Sequence, residues 1–215
     1  MTAPGVPWCP VPTVARGEQR EERPIGLDQA QFASVLEAAQ VGAEWAWSRL
    51  HADLAGPVLG YLRLRGAVEP EDLLGEVFLQ VARNLDGFRG DYPAFRSWVF
   101  TVAHHRVVDE RRYRTRRPVE PGEIPEGALG SGDAETEAIE QLTTDEVIGL
   151  LSTLTPEQRD VLVLRIVGDL SVEVVAAIVG RRPGAVKALQ RRGLEKLRMT
   201  IGTVTPGGGP SVTGM

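Results

Sequence analysis

Lysine is nearly missing from this chain of 215 residues: Lys187 and Lys196 are its two lysines, and almost all of its positive charge is arginine. Cysteine occurs once, as Cys9, so an internal disulfide and a cysteine zinc cluster are both excluded. No apolar run approaches the roughly 18–20 residues that cross a bilayer, and membrane insertion is not expected. The N-terminus, MTAPGVPWCPVPTVARGEQR, lacks a basic start followed by an apolar core and does not read as a secretory signal. A cytoplasmic protein is the expectation. There is no phosphate-binding glycine loop, no nucleophile elbow and no supported pair of carboxylates, so neither catalysis nor a cofactor is expected. His104 and His105 are adjacent and diverge on a helix. His105 and Asp109 supply two ligands where a zinc site takes at least three from the protein, so no metal is expected either.

What is present is charge sorted by segment. The net charge is −5, yet residues 118–146 carry nine acids and no lysine or arginine. Residues 181–198 carry seven bases and one acid. Between His104 and Arg117 lie six arginines against Asp109 and Glu110. Such segregation says more about partners than the total does. Arginine suits a phosphate backbone, because its planar fork bonds phosphate through two parallel hydrogen bonds.

The pattern along the chain is helical throughout. Residues 1–26, rich in Pro and Gly, read as a disordered extension. Helices are expected from about Leu27 to Ala39, from about Ala43 to Leu54 with Trp45 and Leu50 packed, and from Pro57 to Gly66. Pro70 opens another, with Glu71 and Asp72 in its first turn, where acids favour the helix dipole. That helix buries Leu73, Leu74, Val77, Phe78 and Val81 and turns Asp72, Glu76 and Gln80 outward. A loop around Phe88–Pro93 follows. Then FRSWVFTVAHHRVVDERRYRTRR places Phe95, Trp98, Val99, Val102, Ala103 and Val107 on one stripe before turning basic.

This order resembles region 2 of bacterial sigma factors of the sigma-70 family, above all the compact extracytoplasmic-function (ECF) group. The resemblance implies that the Pro70 helix docks on the clamp helices of the RNA polymerase β′ subunit through Asp72, Gly75, Glu76, Leu79 and Gln80. It implies that the loop and the next helix melt and read the −10 promoter element. In the loop that role falls to Arg89. At the start of the helix it falls to Phe95, Ser97, Trp98 and Thr101, and further along to His104, His105, Arg106, Arg111 and Arg112. Gly75 stands where the family often has glutamine, and His105 where it often has asparagine.

An acidic linker, about 115–137, separates this unit from a second one at 138–198. There a helix runs from about Ala138 to Leu151. Thr155 caps the next, with Pro156 at its first position, Val161, Leu162, Leu164 and Ile166 as its apolar residues, and Gly168 at its end. Ser171 caps a short helix, Gly180 supplies a tight turn, and Pro183 opens a basic helix with Val186, Leu189, Gly193, Leu194 and Leu197 inward. Two short helices joined by a glycine turn, the second basic, read as a helix-turn-helix. The unit is similar to sigma region 4, which reads the −35 element and touches the β flap. The residues implied in that role are Ser171, Arg182, Ala185 and Lys187, with Ala188, Gln190, Arg191 and Arg192 following. The tail at 199–215 reads as disordered.

The expectation is therefore an all-α chain of two small helical domains, each burying its own apolar face, joined by a flexible linker. By resemblance it is an ECF-like sigma factor that binds core RNA polymerase and promoter DNA and is held in check by an anti-sigma factor. The alternative is a free-standing helix-turn-helix regulator with an N-terminal interaction domain. The acidic face from Asp72 to Gln80, for which a regulator has no need, separates the two.

Overall fold

The structure is a computed structural model that describes residues 27, 29–116 and 144–204. The expected N-terminal extension, the linker from residue 117 on and the start of the Ala138 helix lie outside the described residues. Among those described, every regular element is a helix: α1 Gln29–Gln40, α2 Glu44–Leu64, α3 Pro70–Asn84, a single 3-10 turn Leu85–Gly87, α4 Tyr92–Arg116, α5 Thr144–Ser152, α6 Pro156–Ile166, α7 Val172–Ile178 and α8 Pro183–Val204.

Helix α2 joins two expected helices into one. Pro57 lies inside it and brings no N–H to the ladder. The loss is outweighed because Leu50, Leu54, Val58, Tyr61 and Leu62 form one unbroken stripe, all buried. Breaking the helix at Pro57 would misalign the two halves of that stripe. The helix ends at Gly66, whose φ is +74°. Gly66 N donates to the Arg63 carbonyl at 2.9 Å and Ala67 N to the Leu62 carbonyl at 3.1 Å, a pair of bonds that satisfies the last carbonyls and needs a left-handed residue between them. Gly180, at φ +63°, closes α7 with the same pair, to Ala177 and Ala176, and so sets the turn into α8. At the other end of α6 a full capping box holds Thr155 against Gln158.

Helices α1 to α4 pack around α2, and α5 to α8 pack around α8. The two groups do not bury their apolar faces separately, as the sequence suggested. Leu151, Leu154, Val161, Leu162 and Leu164 continue the cluster formed by α2 and α4, and α2 touches both α5 and α6 while α4 touches α7. Three further expectations are corrected. Trp45 is 63% exposed and Ile166 67%, because each falls just outside the buried stripe of its helix. Helix α8 continues past Arg198 to Val204 rather than giving way to a tail.

Two glycines set opposite limits. A Cβ on Gly168 would lie 2.5 Å from the Leu164 carbonyl oxygen, a backbone atom that cannot swing away, whereas one on Gly75 would meet nothing within 4 Å. Gly168→Ala is expected to destabilise the fold by about 1–3 kcal/mol through overpacking. Gly75→Ala, at an exposed mid-helix site, is expected to stabilise it by about 0.5–1 kcal/mol. Urea denaturation of the two variants beside the parent checks both signs.

Candidate nucleic-acid interface

Helix α4 carries the densest positive charge of the described chain. Its first half is tied down by aromatic packing. The Phe88 and Trp98 rings stack with centroids 5.2 Å apart at 16°, and Phe95 meets each of them edge-on. The loop before it is held from two sides. Gln40 Nε2 donates to the Leu85 and Phe88 carbonyls, 2.9 Å each, and Arg89 folds back to donate to the Asp86 and Phe88 carbonyls at 2.7 and 2.6 Å. Trp98 is therefore half-buried on a stiff shelf and keeps part of its ring in solvent.

Three residues assigned to this surface by resemblance are not on it. Phe95 is 1% exposed, Ser97 5% and His104 6%. The Ser97 hydroxyl donates to the Pro93 carbonyl at 2.7 Å, one turn back on its own helix. The Thr101 hydroxyl, half-buried, does the same to Ser97. His104 Nδ1 lies 3.0 Å from the Tyr61 hydroxyl in the core between α4 and α2. Of the residues that the resemblance assigns to this surface, Arg89, Trp98 and Thr101 at one end and His105, Arg106, Arg111 and Arg112 further along stay at least partly exposed. Of these His105 and Arg112 are fully exposed and Arg106 and Arg111 half-buried. Acids sit among them: Asp109 pairs with Arg112 at 3.7 Å, and Glu110 accepts from the Val68 backbone N–H at 3.1 Å.

Of the outward face expected on α3, Asp72 and Glu76 are exposed and Gln80 is not. Asp72, Gly75, Glu76 and Leu79 are exposed, with Leu79 at 51%. Gln80 is half-buried and accepts from Arg106 Nε at 3.1 Å, while Glu76 sits 3.5 Å from Arg106 Nη1. Arg106 thus links the α3 face to α4.

In the second unit, the Ser171 hydroxyl accepts from the Val174 N–H at 3.2 Å and starts α7. Val186 anchors α8 in the core. That anchor turns Arg182, Ala185, Lys187, Arg191 and Arg192 outward, with Ala188 and Gln190 at the edge of contact. A Cβ on Gly193 would lie 2.8 Å from Leu162 Cδ1, so this glycine lets α8 lie close on α6. Neighbouring bonds steady the arginines: Arg192 Nε donates to the Ala188 carbonyl at 3.3 Å, and Arg191 stands 4.0 Å from Glu195.

Sequence reasoning missed Arg65, Arg96 and Asp160. Arg65 is 2% exposed and pairs across the molecule with Asp160 of α6. Arg96 donates from Nε and Nη2 to the Gly168 and Val167 carbonyls at 2.7 and 3.0 Å, capping the end of α6 from α4. No local pattern announces such pairs, since their partners lie about 70 or more residues away.

Known proteins align with both units. The family model described as Sigma-70 region 2 matches residues 48–117, and that described as Sigma-70, region 4 matches residues 144–197. The chain is 31% identical over 172 residues to the RNA polymerase sigma factor CarQ of Myxococcus xanthus, covering 78% of this chain and 95% of that one. To the ECF RNA polymerase sigma factor BldN of Streptomyces coelicolor it is 30% identical over 173 residues, 79% of this chain and 66% of BldN. To the ECF sigma factor SigD of Mycobacterium tuberculosis it is 33% identical over 138 residues, 64% and 65% of the two. The chain thus spans about two thirds of the length of BldN and SigD. Among solved structures, CnrH in complex with the cytosolic domain of CnrY superimposes with a TM-score of 0.57 at 22% identity, covering 80% of this chain and 97% of that one. The sigma factor RpoE in complex with the anti-sigma factor NepR from Bartonella quintana gives 0.54 at 18%, covering 80% and 95%. These two likenesses carry the all-α fold.

Burial, with Arg65 and His105 as lesser causes, pushes the His104 ring down from 6.5 to about 4. The unfolded chain therefore takes up a proton before the folded chain does. The stability His104 contributes is complete above pH 6.5 and drains away as pH falls toward 4. Relative to His104→Gln, the parent is expected to lose about 2–3 kcal/mol between neutral pH and about pH 4.5. Urea titrations of both at the two pH values check this, and equal losses would reject it.

Proposed function

Because the chain belongs to the ECF group of RNA polymerase sigma factors, we propose that it binds core RNA polymerase and directs it to promoters, with no chemistry of its own. Helix α4 and the Phe88–Trp98 shelf face the −10 element, α8 enters the major groove at the −35 element, and the α3 face docks on the β′ clamp helices. Its place of work is the cytoplasm, where the polymerase is. The observation that carries this reading is the ordered pair of units. An acidic α3 beside a basic α4 precedes a helix-turn-helix whose second helix turns Lys187, Arg191 and Arg192 outward. A free-standing regulator has no use for the first of these.

An anti-sigma factor as a further partner is supported by RpoE, which was solved with the anti-sigma factor NepR bound. The α3 face and the β flap-facing second unit are the surfaces it would share with the polymerase. In vitro transcription with purified core polymerase on a genomic library tests the main reading. Failure to start transcripts above the level of core alone rejects it.

Two consequences follow for single surfaces. Asp72→Arg combined with Glu76→Arg is expected to abolish co-purification with core while leaving the circular dichroism spectrum unchanged, because both side chains are exposed. On α8, replacing Gln190 is expected to shift base preference by about 1–3 kcal/mol at one −35 position. Replacing Arg192 is expected to weaken all promoters alike and to lower the salt slope by about one unit. Binding of a randomised −35 library by each variant holoenzyme separates the two effects.

A further inference from the structure

At the seam between the two units lies an open cleft of about 350 Å³, lined by Arg65, Arg111, Arg112 and Arg116 with a single carboxylate, Asp160. Arg65 is the C-cap of α2 and is 2% exposed. Its Nη1 pairs with Asp160 Oδ1, and its Nε has no hydrogen-bond partner among the described residues. A guanidinium so placed is built for an anion with more acceptor oxygens than this carboxylate turns toward it. Burial pushes the Asp160 carboxyl up, while Arg65 and Arg111 pull it down. It is thus a desolvated acid that cations hold in place. A second contact lies across the same seam, where Arg96 caps the Val167 and Gly168 carbonyls at the end of α6.

We infer that the chain closes on itself, Asp160 of α6 sitting among Arg65 and Arg111 where a DNA phosphate belongs, with Arg96 as the second point of the latch. The inference rests on the reading of α4 as the −10-facing helix. Promoter DNA that tracks the exposed Arg112 and Arg116 reaches Arg65 and Arg111 only after Asp160 has left, so DNA binding and opening are one event. A phosphate brings charge and several acceptors to the same position. Asp160, 17% exposed at its side chain, brings one carboxylate with a single contact to Arg65. The closed chain is therefore stable alone and yields to DNA.

Asp160→Asn keeps shape and removes the charge, and it leaves Arg65 buried without a counter-ion in the closed form. Spin labels at Ala82→Cys and Lys196→Cys, in a Cys9→Ser background, report the separation of the units in the free full-length chain. A narrow distance distribution is expected for the parent, and a longer, broader one for Asp160→Asn. Arg96→Leu, which breaks the other point of the latch, is expected to do the same, so a poorly folded Asp160→Asn does not end the test. Affinity for a short duplex at low salt is expected to rise about tenfold in Asp160→Asn, with the salt slope steeper by about one to two units as further arginines engage phosphates. Glu173→Gln, an exposed acid on α7 lost with the same change in charge, controls for net charge. Unchanged distances in both latch variants overturn the inference, as does an affinity gain in Glu173→Gln equal to that of Asp160→Asn. The distance measurement uses neither polymerase nor promoter. A parent that is closed but supports no transcription rejects the sigma reading and leaves the latch, whereas a parent that transcribes but shows the broad distribution rejects the latch alone.

Discussion

The bond between Tyr61 and His104 is the constraint on which the arrangement depends. Tyr61 is wholly buried, edge-on to Phe100 with centroids 5.6 Å apart, and its hydroxyl finds its partner in His104 Nδ1 at 3.0 Å. Neither group has water to fall back on. A buried hydroxyl left unpaired costs about 1–3 kcal/mol, so the pair fixes the rotation of α4 against α2. That rotation decides which side of α4 carries Arg106, Arg111 and Arg112 to the surface. It also sets Arg65, one turn beyond Tyr61, where it can reach α6.

Charge is the second organising term, and it is handled locally. Helix α4 ends in a run of arginines whose repulsion would fray it if nothing answered them. The ion-pair answers come from Asp109 on the same helix and Glu76 on α3, while Asp160 on α6 pairs with Arg65 of α2 and feels the charge of Arg111. The exposed pairs contribute little stability. The Arg65 pair differs because it is desolvated, so breaking it costs far more than forming it gains. A pair of that kind specifies an arrangement more than it stabilises one.

Much of this was legible in the sequence. The stops and starts were readable because capping is local chemistry: Thr155, Ser171, Pro70, Pro183 and the left-handed Gly66 and Gly180 all act within a few residues of themselves. So was the buried stripe of α4, apart from Trp98, which is half-buried. What misled was polarity taken as exposure. His104 lies four residues after Phe100 and three before Val107, and so shares their side of the helix. The wheel already pointed it inward, although its chemistry suggested a surface. Ser97 hides by bonding its own backbone, which no pattern of hydrophobicity shows. The continuity of α2 through Pro57 was hidden because proline's penalty is local, whereas the five-residue stripe that outweighs it is a property of the packed fold. Arg65, Arg96 and Asp160 are tertiary in origin and leave no trace in the neighbouring sequence.

The closed arrangement treats the basic faces of α4 and α8 unequally. It is made by α6 and by the turn after it, and it takes up Arg65 and half-buries Arg111. Helix α8 is on the other side of its unit, and its outward residues Arg182, Lys187, Arg191 and Arg192 stay in solvent. The short contact of Gly193 with Leu162 is what permits this, because it seats α8 on the back of the helix that bears Asp160. Helix α6 therefore serves two surfaces at once, supporting α8 on one face and holding Asp160 against Arg65 with its opposite face. A rigid α6 cannot move Asp160 without carrying α8 along. Release of the α4 arginines and displacement of the helix-turn-helix are for that reason a single motion of one body.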